Sequence, residues 1–248
     1  MMRTGLSSVV APRASLEDLI AGATRHGLTV LELCAGDGHG VTAALTSEAR
    51  ALAAVVDTIS ASHVAISAYR DLGKEDEAAV GTLSGILGAP TLVDVPGTLA
   101  ARLARAERLR AVEVAVAVVV RGVDAIRDAQ DISRAGCAVA WDAAPAEAKL
   151  GAQAAALLDA CGDALCQVRV AGGGPESTLH EGRGIGELMA RLALAGYAGT
   201  VILAPSSPSY HVLWDRWLGR PRGFGCGSHA SDNTLVTLGQ PVTSGDAA

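Results

Sequence analysis

Eight apolar runs of strand length, each followed by a segment with helically spaced apolar residues, predict an α/β chain closed into a single-domain (β/α)8 TIM barrel. Three observations carry that expectation. The runs fall at residues 4–10, 29–34, 64–69, 91–95, 112–120, 137–141, 165–170 and 200–204. Their starts recur at intervals of roughly 21 to 35 residues, the spacing of repeated strand–helix units. They are rich in valine rather than alternating apolar with polar, which suits parallel strands covered on both faces. Finally, 248 residues that are half apolar and only 19% charged supply the usual length and core for such a barrel.

The elements justify themselves in order. After the first run, Leu16, Leu19, Ile20 and Ala23 form one apolar stripe over 15–26, with Ser15 as N-cap and Gly27 just past the end. The sixth run, 137–141, ends on Trp141-Asp142 and so delivers a carboxylate to the C-terminal end of a buried strand, where such barrels keep their chemistry. Leu188, Leu192 and Ala195 mark a last helix over 187–195, stopped by Gly196. The barrel is expected over residues 1–218. Beyond it, 219–248 opens with a glycine-rich run, Gly219 to Gly227, and reads as an irregular C-terminal tail.

Composition excludes several classes of function. A net charge of −6 and 3% aromatic residues argue against a nucleic-acid partner, which needs cationic surface and stacking platforms. The longest apolar run, 114–120, is too short to span a bilayer, and residues 1–5 carry no signal-peptide pattern. Cys34, Cys137, Cys161, Cys166 and Cys226 are odd in number and irregularly spaced, as in reduced, mostly buried thiols. The expectation is a cytoplasmic protein that meets a small-molecule metabolite, with no membrane partner; its oligomeric state is not readable.

Two local patterns compete with that picture. Val30-Leu31-Glu32-Leu33-Cys34-Ala35-Gly36-Asp37-Gly38-His39-Gly40 is similar to the glycine-rich first motif of S-adenosylmethionine-dependent methyltransferases, and Asp57 could follow as a ribose-binding acid. That reading needs an open sheet with an antiparallel closing hairpin, which the second half of the chain does not supply. A tight glycine-rich loop is favoured. Cys226, His229 and Asp232 lack the second Cys/His pair of a zinc site. No G-x-S-x-G elbow, Walker A loop or H-E-x-x-H helix occurs.

Several segments together resemble the xylose isomerase-like barrel superfamily of sugar phosphate isomerases and epimerases. They are Ser15–Leu19 with Gly27 and Val30–Leu33, Gly88–Val93, Trp141-Asp142, Gln167–Arg169, Leu179-His180-Glu181-Gly182-Arg183 as a loop, and Gly196–Gly199 before the eighth strand. The resemblance covers about residues 4–215. It implies a divalent metal held by a fifth-strand Glu, a sixth-strand Asp, a seventh-strand His or Gln and an eighth-strand Glu, hard oxygen ligands that suit Mg²⁺ or Mn²⁺.

Carried over by position, the Asp is Asp142 and the His/Gln is Gln167, while the two glutamates fall at Ala117 and Ala204. One carboxylate and one amide hold such an ion poorly, so no metal cofactor is expected and only remnant positions stay. Glu113, an even step before Ala117, shares its facing but lies too deep to substitute. Pro145 and Val170 stand where the family often has histidine and aspartate.

The resemblance therefore implies an isomerase/epimerase-like barrel acting on or binding a small sugar-like metabolite through a degenerate metal site. The alternative is a non-catalytic barrel that binds a metabolite or a protein. Fold analogy does not transfer activity, so whether the chain is an enzyme is left open. The candidate catalytic residue is Asp142. Candidate substrate-binding residues are Gln167, Arg169, Glu32 and Arg183. For Arg169 an ion pair with Asp142 competes with an anion-binding role, and for Glu32 an ion pair competes with a substrate contact. Gly172–Gly174 and Ser206-Ser207 follow the strands where barrels often bind phosphate, though turn chemistry accounts for both.

Overall fold

The computed structural model describes residues 2–10, 14–25, 27–34, 65–71, 77–144, 150–172 and 179–205. Its eight strands are β1 (Arg3–Ser7), β2 (Val30–Cys34), β3 (Ala65–Asp71), β4 (Thr91–Val93), β5 (Val116–Arg121), β6 (Ala138–Ala143), β7 (Leu165–Gly172) and β8 (Thr200–Pro205). Among the described residues the helices are α1 (Leu16–Arg25), α2 (Glu77–Leu87), α3 (Leu99–Ala111), α4 (Ala125–Arg134), α5 (Leu150–Cys161) and α6 (Leu179–Leu194). All neighbouring strands run parallel, and β1 pairs with both β2 and β8, which closes the barrel. The open sheet that the methyltransferase-like reading required is not what these strands form.

Strand alternation sorts the core into two parts. Leu31 and Leu33 of β2, Val116, Val118 and Val120 of β5, and Val139, Trp141 and Ala143 of β6 join the large cluster shared with the helices. The opposite residues face inward, where Leu92, Ala117, Val119 and Ala140 form a separate small cluster. Gly5 lets this interior close. A Cβ there would lie 2.2 Å from Val30 Cγ2 and 2.8 Å from Ile202 Cδ1, so only a residue without a side chain admits both neighbours.

Local chemistry explains most element ends. The Ser15 hydroxyl accepts from the Asp18 amide at 3.1 Å and donates to its carboxylate at 2.9 Å, the expected N-cap of α1. Gly27, Gly88, Gly136, Gly162 and Gly196 end α1, α2, α4, α5 and α6 with positive φ, as left-handed helix stops do. The stop after α3 is instead Glu113, at φ 63°, whose amide donates to Arg110 O at 3.0 Å while that of Val114 donates to Leu109 O at 3.1 Å.

Three expectations need correction. The fifth strand starts at Val116 rather than 112, because Val112–Glu113 close α3 through that glycine-free stop. Glu113 is therefore a turn residue with no strand facing, and the even-step argument for it does not hold. The first strand ends at Ser7, where a 3-10 turn, Ser8–Val10, takes over.

The last helix starts at Leu179, so the Leu179–Arg183 segment is helical and not a loop. Its glycines (Gly182, Gly184, Gly186) disfavour helix by about 1 kcal/mol each. Packing outweighs propensity here, since Gly151 of α5 admits Glu187 and Arg191 of α6 at close range. The tail 219–248, the loop 35–40, Asp57, Pro145, Gly173-Gly174, Ser206-Ser207 and the Cys226/His229/Asp232 cluster lie outside the described residues.

Candidate functional site

The C-terminal strand ends bring an alternating set of acids and arginines to one mouth of the barrel. The inner layer is built on Glu32 of β2, which is fully buried. A buried carboxylate needs every lone pair answered. The Ser7 hydroxyl of β1 donates to its Oε1 at 2.9 Å, and the Gln167 amide of β7 donates to its Oε2 at 2.5 Å. The Cys34 thiol lies 3.6 Å from Oε1 and 3.5 Å from Ser7 Oγ. Arg169 of β7 supplies the counter-charge: its Nε stands 3.1 Å from Glu32 Oε1, out of line for a hydrogen bond but close enough for an ion pair.

Arg169 also reaches outward, with Nη1 3.8 Å from Asp142 Oδ2. Asp142 belongs to an outer layer. Arg121 at the end of β5 places Nη2 3.3 Å from the same Oδ2 and also pairs with Asp94, just past β4. The chain of charges thus runs Glu32, Arg169, Asp142, Arg121, Asp94 across β2, β7, β6, β5 and β4. Exposure differs among its members: the Glu32 side chain is 0% exposed, Arg169 15%, Asp142 and Asp94 14% each, and Arg121 54%.

The folding that positions β5 is visible in Arg102 of α3. It donates to Val119 O at 2.5 Å and to Asp128 Oδ2 of α4 at 2.9 Å, tying the strand to both flanking helices. Strand register then sets who stands beside Asp142. Its β5 partner is Arg121 and its β7 partner is Arg169. Ala117 pairs with Ala138, four residues deeper. The fifth-strand residue level with Asp142 is therefore Arg121, whereas Ala117, where the resemblance put the fifth-strand Glu, lies deeper. Ala204 of β8 is buried and pairs with Ala171.

The structure brings together Asp142, Gln167, Arg169 and Glu32. Arg169 pairs with both Asp142 and Glu32, and Glu32 lies beneath the surface. Arg183 falls near the start of α6, which follows the C-terminal end of β7, and its side chain is outside the described residues. Arg121, Asp94, Ser7 and Cys34 were missed. For Arg121 the signal was present: a charged residue directly after five strand residues, Val116–Val120, is as good a strand-end marker as Asp142 after Trp141.

The donor set can be weighed against a divalent ion. Among the described residues no three His, Cys, Asp or Glu side chains converge as a metal-holding group. Asp94 and Asp142 are joined by the Arg121 guanidinium, and Asp142 and Glu32 by that of Arg169. This arrangement does not fit a divalent cation, which needs several oxygen ligands and no competing positive charge. What the set offers chemically is rigid N–H donors beside carboxylate acceptors, a pairing that matches vicinal hydroxyl and carbonyl oxygens.

The thiols are buried at Cys34, Cys137 and Cys161 and partly buried at Cys166. Burial pushes the Cys166 thiol up to about 11, with a backbone hydrogen bond opposing and Cys161 adding slightly. Burial likewise raises the Tyr197 hydroxyl, which donates to Thr200 O at 3.2 Å at the opposite end of the barrel. No helix among the described residues is long and apolar enough to cross a membrane.

No protein-family model and no curated protein sequence matches the chain. Solved structures do. The chain is similar to L-ribulose 3-epimerase at 16% identity and TM-score 0.57, covering 95% of this chain and 91% of that one. It is similar to D-psicose 3-epimerase, determined in the presence of D-fructose, at 14% identity and TM-score 0.55, over 92% and 93% of the two chains. A fusion of a xylose isomerase-like TIM barrel with a 4-hydroxyphenylpyruvate dioxygenase matches at 14% identity and TM-score 0.54, over 88% of this chain and 42% of that one. The chain has the fold of the xylose isomerase-like TIM-barrel sugar epimerases and isomerases.

Proposed function

We propose that this barrel binds a small, polar, sugar-like metabolite at its C-terminal mouth and does so without a tightly held divalent metal. The observation that carries the reading is the alternating network of Glu32, Arg169, Asp142, Arg121 and Asp94 on five strand ends. Donors and acceptors fixed side by side suit a polyhydroxylated ligand better than an apolar one. The epimerase folds named above support a sugar as the ligand class.

In this reading Asp142 and Arg169 meet the ligand, Asp142 accepting from a hydroxyl and Arg169 donating to an oxygen. Glu32 and Gln167 act one layer below, holding Arg169 in place. Arg183 is a further candidate from the start of α6. Acidic net charge makes nucleic acid a poor partner, and the cytoplasm remains the expected location.

Turnover is the second reading, favoured by the strand-end position of Asp142, which as the one candidate acid/base would move a proton on the bound metabolite. One experiment separates the two. D-fructose, D-tagatose and a ketose phosphate are offered to the protein in D₂O and followed by saturation-transfer and one-dimensional NMR. Binding without loss of any carbon-bound proton signal is the expected result, and Asp142→Ala is expected to abolish it. Loss of a C–H signal that depends on Asp142 moves the protein to the isomerase/epimerase class. Absence of binding to sugars and sugar phosphates alike contradicts the reading.

A further inference from the structure

The outer layer of the mouth has a feature that sugar binding alone does not explain. Two carboxylates from different strands, Asp94 after β4 and Asp142 of β6, are bridged by one nitrogen, Nη2 of Arg121, from the strand between them. Like charges brought this close repel unless a cation stands between them. In an α/β barrel mouth that cation can be a metal ion or a side chain. Here it is a guanidinium on the strand partner of Asp142.

The geometry of Arg121 also differs from that of a structural ion pair. Its side chain is 54% exposed, whereas the two carboxylates it joins are 14% exposed. Both pairs use Nη2, and among the described residues the Nε and Nη1 donors of the rigid guanidinium plane have no partner. An arginine held at one nitrogen by two carboxylates loses little further rotamer freedom when a ligand arrives.

We propose that Arg121 is the resident cation of this mouth: it fills the space between Asp94 and Asp142 that a divalent ion would need, and it donates to the oxygens of a polyhydroxylated ligand. The inference rests on the sugar-binding reading for its second half only. Its first half makes a separate claim, that Arg121 keeps a divalent ion from Asp94 and Asp142 and that removing it lets one bind, with Arg169 still beside Asp142.

The test titrates Mn²⁺ alone into the full-length protein and reads free Mn²⁺ by electron paramagnetic resonance. The wild type is expected to leave the free signal unchanged. Arg121→Glu, which adds a carboxylate in place of the cation, is expected to tighten Mn²⁺ binding by about tenfold or more. Arg121→Ala is expected to give a smaller gain, and adding Asp142→Asn to either variant removes it. Circular dichroism reports whether each variant folds; should Arg121→Glu fail, Arg121→Ala carries the comparison.

Wild-type Mn²⁺ binding that Asp142→Asn abolishes overturns the proposal. So do folded variants with no gain, and so does failure of both variants to fold, since a half-exposed ligand-facing cation does not hold the barrel together. No sugar enters this experiment, so its failure leaves the sugar-binding reading standing, and the NMR result leaves this one standing.

Discussion

The inner and outer charge layers of the mouth use the same residue types for opposite ends. In the inner layer Glu32 is fully buried and its oxygens meet Ser7, Gln167, Cys34 and Arg169. In the outer layer Asp94, Asp142 and Arg121 stand partly in solvent. A buried ion pair is costly to break because the remaining charge has no water to turn to, whereas an exposed pair contributes little. The inner layer around Glu32 accordingly supports the site from beneath, and in the proposed reading Arg169 and the outer layer together meet the ligand.

The sharpest way to break that contrast is Arg169→Ala. It removes the guanidinium paired with fully buried Glu32 and is expected to cost about 3–5 kcal/mol, as breaking one side of a buried ion pair does. Urea unfolding checks it, and a loss comparable to that of an exposed pair erases the distinction between layers. Next comes Gly5→Ala, whose Cβ would press on Val30 and Ile202 beneath the same layer. Overpacking of that kind costs about 1–3 kcal/mol, read as a lower urea midpoint with an unchanged slope.

Arg121→Ala probes the outer layer. Its stability cost is expected to stay near or below about 1 kcal/mol because water screens the half-exposed pair. Sugar affinity, measured by calorimetry, should nonetheless fall by about tenfold, the loss of one charge-assisted hydrogen bond. A stability loss as large as that of Arg169→Ala would merge the two layers into one structural network.

The smallest effect concerns Cys166, which packs against the barrel interior below the inner layer. Its thiol is pushed from 9.0 up to about 11 in the folded protein. Between those values the unfolded chain has released the proton and the folded one has not, so stability is full below pH 9 and falls as pH rises toward 11. Cys166→Ala should flatten part of that alkaline decline in urea midpoints measured from pH 8 to 10.5. An identical decline in the variant assigns it to other groups, Tyr197 among them.

The two layers were not equally legible in the sequence. All eight strands could be read as apolar runs, five of them following helices that stop at a glycine, and α1 announced itself through Ser15 and Gly27. The fifth strand was misread at its start because Glu113 does the work of a glycine, and no composition signal marks a left-handed glutamate. Register inside Val116–Val120 was equally silent, since a run of small apolar residues, four valines and one alanine, carries no phase. That is why the resemblance put the fifth-strand Glu at Ala117 and Arg121, level with Asp142, went unnoticed. Asp142, Gln167, Arg169 and Glu32 were each named as site residues. Their division into supporting layer and ligand-facing surface depends on burial across five strands, which no local pattern encodes.

The central claim is that this mouth holds a sugar-like ligand through its own side chains rather than through a metal. Isothermal titration of the ketose that gives the strongest NMR response, run once with excess EDTA and once with Mn²⁺, tests it most directly. The account predicts the same affinity in both titrations and its loss in Asp142→Ala. Binding that appears only with Mn²⁺ contradicts it.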